Sequence, residues 1–286
     1  MNNKADGKSW PRLGVFFWVT GDAMEPEAEK YRSWGLSAVQ LSGDSLAQCF
    51  AGPAEAARIR RMLEGHGLPI AATGAYVNLV APDEAKRRSY LDHVKRALEV
   101  APSLGTPVVA TETGTRNRES DWFASPENAG EEAWSLLYRA LDELLPVAAK
   151  HGSVLALEAY VNNVVQTYDQ AAALLKKYDS PHLKLVLDPY NYLSKPLLPH
   201  KEKAVAGFLE RFQPHFTVAH LKDVSPDGAE VDTPEFGTGV FPQALYLDFL
   251  KARRPDLAMI LEHLPVENIP QAMSRVRDTI GKINQK

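Results

Sequence analysis

The strongest constraint on this chain is a rhythm. Eight short apolar runs recur from one end to the other, bounded by Gly, Pro or charged residues and separated by amphipathic stretches. They are LGVFFWV (13–19), SAVQL (37–41), LPIAAT (68–73), PVVAT (107–111), SVLALE (153–158), LKLVLD (183–188), FTVAH (216–220) and AMILE (258–262). Runs this short and this continuous suit strands buried on both faces, as parallel strands are. Residues 84–100 instead place Tyr90, Leu91, Val94 and Leu98 at helical spacing. Residues 131–149 do the same with Trp134, Leu137, Tyr138, Leu141 and Leu145, and the stretch 54–64 stops at Gly65 with Gly67 following, a helix-end signal.

Strict alternation of this kind predicts the α/β class and a parallel (β/α)₈ barrel. The competing architecture is an open doubly wound sheet, which usually carries a Gly-rich first turn. Here the first run is followed by TGDAMEPE, with no GxGxxG. A chain of 286 residues fits one barrel domain of roughly 250 residues. No composition shift marks a boundary, so one domain is expected over residues 1–286, with 1–11 as a flexible N-terminal extension.

Bulk properties exclude several functions. The formal charge is −4, with 32 basic and 36 acidic side chains and no basic stripe, which argues against nucleic acid as a partner. The seven-residue run LGVFFWV is far too short to span a membrane. Cys49 is the only cysteine, so neither an internal disulfide nor a thiolate metal site can form. A soluble, reducing, cytoplasmic setting is expected.

In a barrel of this type, catalytic side chains stand at the C-terminal ends of the strands. The last four runs end in Glu158, Asp188, His220 and Glu262, at spacings of 30, 32 and 42 residues, each about one βα unit. A single carboxylate at a strand end is more often a loop contact or helix cap, and a single histidine more often structural. Four successive strands ending in ligand-type residues form a different pattern. Three carboxylates sharing one rim would raise each other's pKa values, and a divalent cation removes that conflict. Two Glu, one Asp and one His without thiolate favour a hard ion: Mn²⁺ first, with Mg²⁺ or Co²⁺ as alternatives.

With these residues in place, the sequence resembles the xylose isomerase-like TIM barrel family of sugar phosphate isomerases and epimerases, from RLGVFF to the helix after LEHL. The motif His220-Leu221-Lys222-Asp223 and the downstream FGTGVFP add to the four strand-end residues. Ketose 3-epimerases and hydroxypyruvate isomerases place one Mn²⁺-type ion on the matching four residues. The resemblance therefore implies that Glu158, Asp188, His220 and Glu262 bind the ion, with Glu158 and Glu262 also serving as acid and base.

The sequence departs from the epimerases where they carry Asp-x-x-His after strand 6; here the residues are Asp188-Pro189-Tyr190-Asn191. An amide can hydrogen-bond a substrate oxygen but does not titrate. Strand 2 offers Gln40 where relatives often have Glu, and Lys222 is the nearest cation to an Arg they carry after strand 7. Lys222 is expected to face away from His220 if its strand runs on, and otherwise to stand in solvent or reach substrate from the loop. Trp18, Gln40, Asn78 and Glu112 lie at or just past the ends of strands 1 to 4 and are candidates for a sugar pocket, with core packing or loop capping as the alternative. Gly237 and Gly239 precede a helix where barrels often bind phosphate. His263 is expected to point away from the metal set.

The expected function is a metal-dependent sugar isomerase or epimerase that removes a proton next to a carbonyl and passes through an enediolate. The alternative is a lyase or dehydratase on a keto-sugar or keto-cyclitol, like the inosose dehydratases. A third reading is a barrel that only binds carbohydrate. A homo-oligomer is open, since no interface is readable.

Overall fold

A computed structural model of the protein describes residues 10–285. Eight strands close into a parallel barrel in chain order. They are β1 (Leu13–Phe17), β2 (Ala38–Ser42), β3 (Ile70–Gly74), β4 (Val108–Glu112), β5 (Val154–Glu158), β6 (Leu183–Leu187), β7 (Phe216–Leu221) and β8 (Met259–Leu261). Closure is made by β1 pairing with β8, Val15 opposite Leu261. The helices among the described residues are α1 (Met24–Trp34), α2 (Gly43–Cys49), α3 (Pro53–Gly65), α4 (Glu84–Val100), α5 (Glu131–His151), α6 (Tyr168–Tyr178), α7 (Lys201–Phe212), α8 (Gln243–Arg253) and α9 (Ile269–Asn284).

The starts and stops follow local chemistry. Asp83 caps α4 by accepting from the Lys86 N–H, and Thr167 with Gln170 forms a reciprocal capping box on α6. Gly152 ends α5 with φ +70°, a conformation that costs glycine nothing. Of the extension expected over residues 1–11, residues 1–9 lie outside the described residues, while Trp10 packs against the core and Pro11 is buried.

Each strand has two buried faces, which explains the continuous apolar runs. Small and branched residues fill the lumen: Ala38, Ala72, Val108, Ala110, Ala156, Val186, Val218, Ala258 and Ile260 form one cluster, with Phe16 and Tyr76 packed on it. Their odd-numbered neighbours, among them Leu41, Val109, Leu155, Leu157, Leu185, Leu187, Ala219 and Leu261, join a second, larger layer beneath the helices. Side chains alternate strictly along a strand, so the even positions run up the lumen to its C-terminal mouth. On β5 to β8 the next even positions are Glu158, Asp188, His220 and Glu262.

Candidate active site

The structure brings together all four strand-end residues singled out by the sequence. Each of Glu158, Asp188, His220 and Glu262 is buried and offers one ligand atom, and these atoms lie within 4.8 Å of one another. His220 Nδ1 stands 3.3 Å from Glu158 Oε2, 3.5 Å from Asp188 Oδ2 and 3.4 Å from Glu262 Oε1. His220 Nδ1, Asp188 Oδ2 and Glu262 Oε1 are buried without any hydrogen-bond partner. Polar atoms buried without a hydrogen bond are costly, and three of them converging from three strands fit a shared cation; the Lys222 ammonium stands close to two of them. The group could hold a divalent metal ion, and its all-oxygen-and-imidazole chemistry suits one.

The surroundings fix these ligands in place. Gln40 Oε1 lies 3.1 Å from His220 Nε2, which leaves Nδ1 free to face the carboxylates. The Tyr76 hydroxyl donates to Glu158 Oε2 at 2.8 Å and accepts from Gln40 Nε2 at 3.2 Å. The Asn191 side-chain amide donates to Glu158 Oε1 at 2.7 Å, and its backbone N–H donates to Asp188 Oδ1 at 3.3 Å. Both oxygens of Glu158 are therefore oriented by neutral donors.

Lys222 corrects the expectation. It does not turn away from His220: residues two apart share a strand face, and Lys222 is only 1 % exposed. Its Nζ lies 2.7 Å from both Asp188 Oδ2 and Glu262 Oε1, an ion pair with each. Asp188, expected to be held by a metal rather than by a lysine, here sits against this ammonium. Burial alone would raise the Glu158 and Glu262 carboxyls. His220 and Lys222 outweigh it, holding Glu158 at about 2 and Glu262 well below the usual range. Asp188 is pushed up to about 6 by burial, against the pull of Lys222.

A cavity of about 400 Å³ opens above this group, with Glu112, Glu158 and Glu262 on its floor and Phe16, Trp18 and Trp122 on its walls. A smaller adjoining cavity, about 240 Å³, is lined by Glu112, Asn191, Lys222, Phe123 and Val231 among others. Glu112 pairs with Glu158 in the β4–β5 register and accepts from Asn163 Nδ2 at 2.7 Å. Burial, and then the Glu158 charge, raise its carboxyl to about 8. Trp18 and Glu112 thus line the cavity at the strand ends.

Asn78 does not. Its side chain is buried in the loops after β3 and β4, donating to Thr115 O and Asp121 and accepting from the Val80 and Thr115 N–H groups. It is a loop staple apart from the cavity. The two-glycine turn is also committed elsewhere. Asp223 accepts from the N–H groups of Val224, Gly237 and Phe241 and from Gln243, so the loop's amides already hold a carboxylate. His263 is no member of the metal set; its Nδ1 pairs with Thr233 while the ring lines the cavity wall. Tyr76 is a residue the sequence reading missed: it lies two residues beyond Gly74, past the end of β3, and packs on the lumen cluster.

A profile of the family described as xylose isomerase-like TIM barrel matches residues 28–279. No curated protein gives a significant sequence match. Solved structures that resemble the fold include 3-keto-D-glucoside 4-epimerase from E. coli in its apo form, at 17 % identity and a TM-score of 0.70, covering 96 % of this chain and 100 % of that one. Another is a xylose isomerase-like TIM barrel protein from Mycobacterium smegmatis in complex with magnesium, at 16 % identity and a TM-score of 0.70, covering 97 % of each chain. A third is the probable 3-DHS dehydratase from Bacillus anthracis, at 14 % identity and a TM-score of 0.67, covering 96 % of this chain and 97 % of that one. At such identities the likeness establishes the fold. Among the described residues no helix is long and apolar enough to cross a membrane.

Proposed function

The chain belongs to the xylose isomerase-like TIM barrel family, and from that premise we propose that it is a divalent-metal-dependent isomerase or epimerase that removes a proton next to the carbonyl of a sugar or sugar-like substrate. The observation that carries this reading is the convergence of ligand atoms from Glu158, Asp188, His220 and Glu262 within 4.8 Å of one another, beneath a cavity that Glu158 and Glu262 also line. Glu158, Asp188, His220 and Glu262 would hold the ion, with Mn²⁺ preferred and Mg²⁺ or Co²⁺ as substitutes. When bound, such an ion supplies Lewis-acid polarisation of the substrate carbonyl.

The chain's own groups then move the proton. Glu262 directs Oε1 at the ligand cluster and lies on the cavity floor, so its other oxygen can take the proton from the carbon beside the carbonyl. Glu158, reaching the same floor from β5, can return a proton from another side. Two carboxylates flanking a planar enediolate suit inversion at carbon; return to the neighbouring carbon gives aldose–ketose exchange. Tyr76 and Asn191 hold Glu158 in position, and burial keeps water from competing for the proton.

Glu112 supports a second reading, a lyase. Its carboxyl is kept protonated by burial close to neutrality and lines both cavities. It could give that proton to an oxygen leaving with its C–O electron pair from the carbon β to the carbonyl, while Glu262 takes the α proton and the α C–H electron pair becomes the new C=C bond. One experiment separates the readings: incubate Mn²⁺-loaded protein with ketoses and keto-sugars in D₂O. Deuterium in recovered substrate or epimer supports the first and an enone product the second. Binding without either leaves a carbohydrate-binding barrel.

A further inference from the structure

Every large hydrophobic side chain that stands exposed among the described residues lies in a loop following a strand. They are Trp18 after β1, Trp122 and Phe123 after β4, Leu197 after β6, Val231 after β7 and Val266 after β8, with exposures from 37 % for Leu197 to 66 % for Val231. The outer faces of the helices carry none. Five of the six line the two adjoining cavities above the carboxylates. Apolar surface gathered at one mouth marks a binding groove rather than scatter.

Trp18 is built as a platform. Its ring stacks on Phe16, centroids 5.4 Å apart at 21°, and leans on the bare backbone of Gly43. A Cβ at Gly43 would come within 2.6 Å of the indole, and the φ of +55° there also favours glycine. One face of the indole is thus fixed from behind, while half the side chain stays open to the cavity.

Charge completes the description of the ligand. Lys222 is the one ammonium on either lining among the described residues, and Asp188 and Glu262 engage it; no arginine lines either cavity. The amides of the β7–α8 loop, where a phosphate would otherwise sit, hold the Asp223 carboxylate. The floor itself carries Glu112, Glu158 and Glu262. With the ion held by the strand-end residues, a phosphate carried elsewhere on the sugar would find no lysine or arginine free to pair with it on either lining.

We propose, resting on the reading of the site as a sugar enzyme, that the substrate is an uncharged sugar bearing a flat apolar substituent, such as a second ring in glycosidic linkage. The sugar lies over the carboxylate floor, and the substituent lies across Trp122, Phe123 and Val231 at the mouth. A pocket of about 400 Å³ with an adjoining one of about 240 Å³ gives the two parts separate places.

The test is calorimetric binding to Mn²⁺-loaded protein of three unreactive probes: methyl β-D-glucoside, phenyl β-D-glucoside and methyl β-D-glucoside 6-phosphate. Phenyl β-D-glucoside is expected to bind at least about fivefold tighter than the methyl compound, since an aromatic contact contributes about 1 kcal/mol. Trp122→Ala and Phe123→Ser, both at exposed loop positions, should erase that preference. Equal affinity for the two glucosides, no binding of the phenyl probe, preference for the phosphate, or a ring preference untouched in both variants would each overturn the proposal. So would a dimer in sedimentation velocity that Trp122→Ala dissociates while the ring preference stays. Deuterium exchange on free ketoses without a ring preference removes this inference and keeps the reaction; a ring preference without exchange on any keto-sugar does the reverse.

Discussion

The ammonium of Lys222 stands 2.7 Å from Asp188 Oδ2, inside the group of atoms that could hold a metal. It is equally close to Glu262 Oε1, so one internal cation bridges two ligands contributed by the strands on either side of β7. A positive charge at this distance must compete with a divalent ion for the same oxygens. Lys222→Met, which keeps the length and removes the charge, should bind Mn²⁺ at least about tenfold tighter in calorimetry. Without metal it should unfold more easily, by about 3–5 kcal/mol, because a buried ion pair has lost one partner. Weaker Mn²⁺ binding in the variant would show that Lys222 supports the ion instead.

Gln40 is expected to act only through His220. Gln40→Ala removes the 3.1 Å partner of Nε2 and frees the imidazole to rotate or change tautomer. Metal affinity should fall about 10–100-fold. Chelator competition measures this directly, and Gln40→Glu, which still accepts from Nε2, should restore most of it.

Glu158→Gln keeps a coordinating oxygen but loses the proton acceptor. Exchange of substrate hydrogen with D₂O should fall by about 10²–10⁴, while Mn²⁺ still binds with reduced affinity. An unchanged exchange rate would assign the proton to Glu262 alone.

Glu112 predicts a pH dependence of stability. Its carboxyl is raised to about 8 in the folded chain from an ordinary value of 4.5, by burial first and the Glu158 charge second. Between those values the folded protein holds a proton that the unfolded chain has released. The contribution of Glu112 to stability is therefore full below pH 4.5 and is lost as pH rises through 8, at up to about 1.4 kcal/mol per pH unit across the window. Glu112→Gln, neutral throughout, should flatten this slope. Urea unfolding of metal-free protein at pH 5.5 and 8 gives the comparison.

The rhythm of apolar runs was legible because parallel strands need apolar side chains on both faces, and helix 84–100 was legible because its apolar positions recur at helical spacing. The four clustered residues could be read because each stands at the end of its run. What could not be read was which groups the loops consume. Asn78 looks like a pocket residue until its four hydrogen bonds are traced into neighbouring loops, and the amides near Gly237 look open until Asp223 is seen among them. Lys222 was misplaced by its parity: two steps from His220 returns to the same face. Tyr76 lies past the last ladder residue of β3, where a sequence pattern no longer says which way a side chain points.

The alternation of the strands means that β5 to β8 each carry two interleaved texts. In LKLVLD, Leu185 and Leu187 are written for the helices, Val186 and Asp188 for the lumen. Substitutions at the lumen letters can rewrite the chemistry while the outer letters go on specifying the same shell. Insertions behave differently: one added residue in a strand would swap the two texts, turning a leucine into the site and a carboxylate into the oil. The barrel is thus permissive toward replacement and intolerant of frameshift within its walls, which leaves its loops as the place where length can vary.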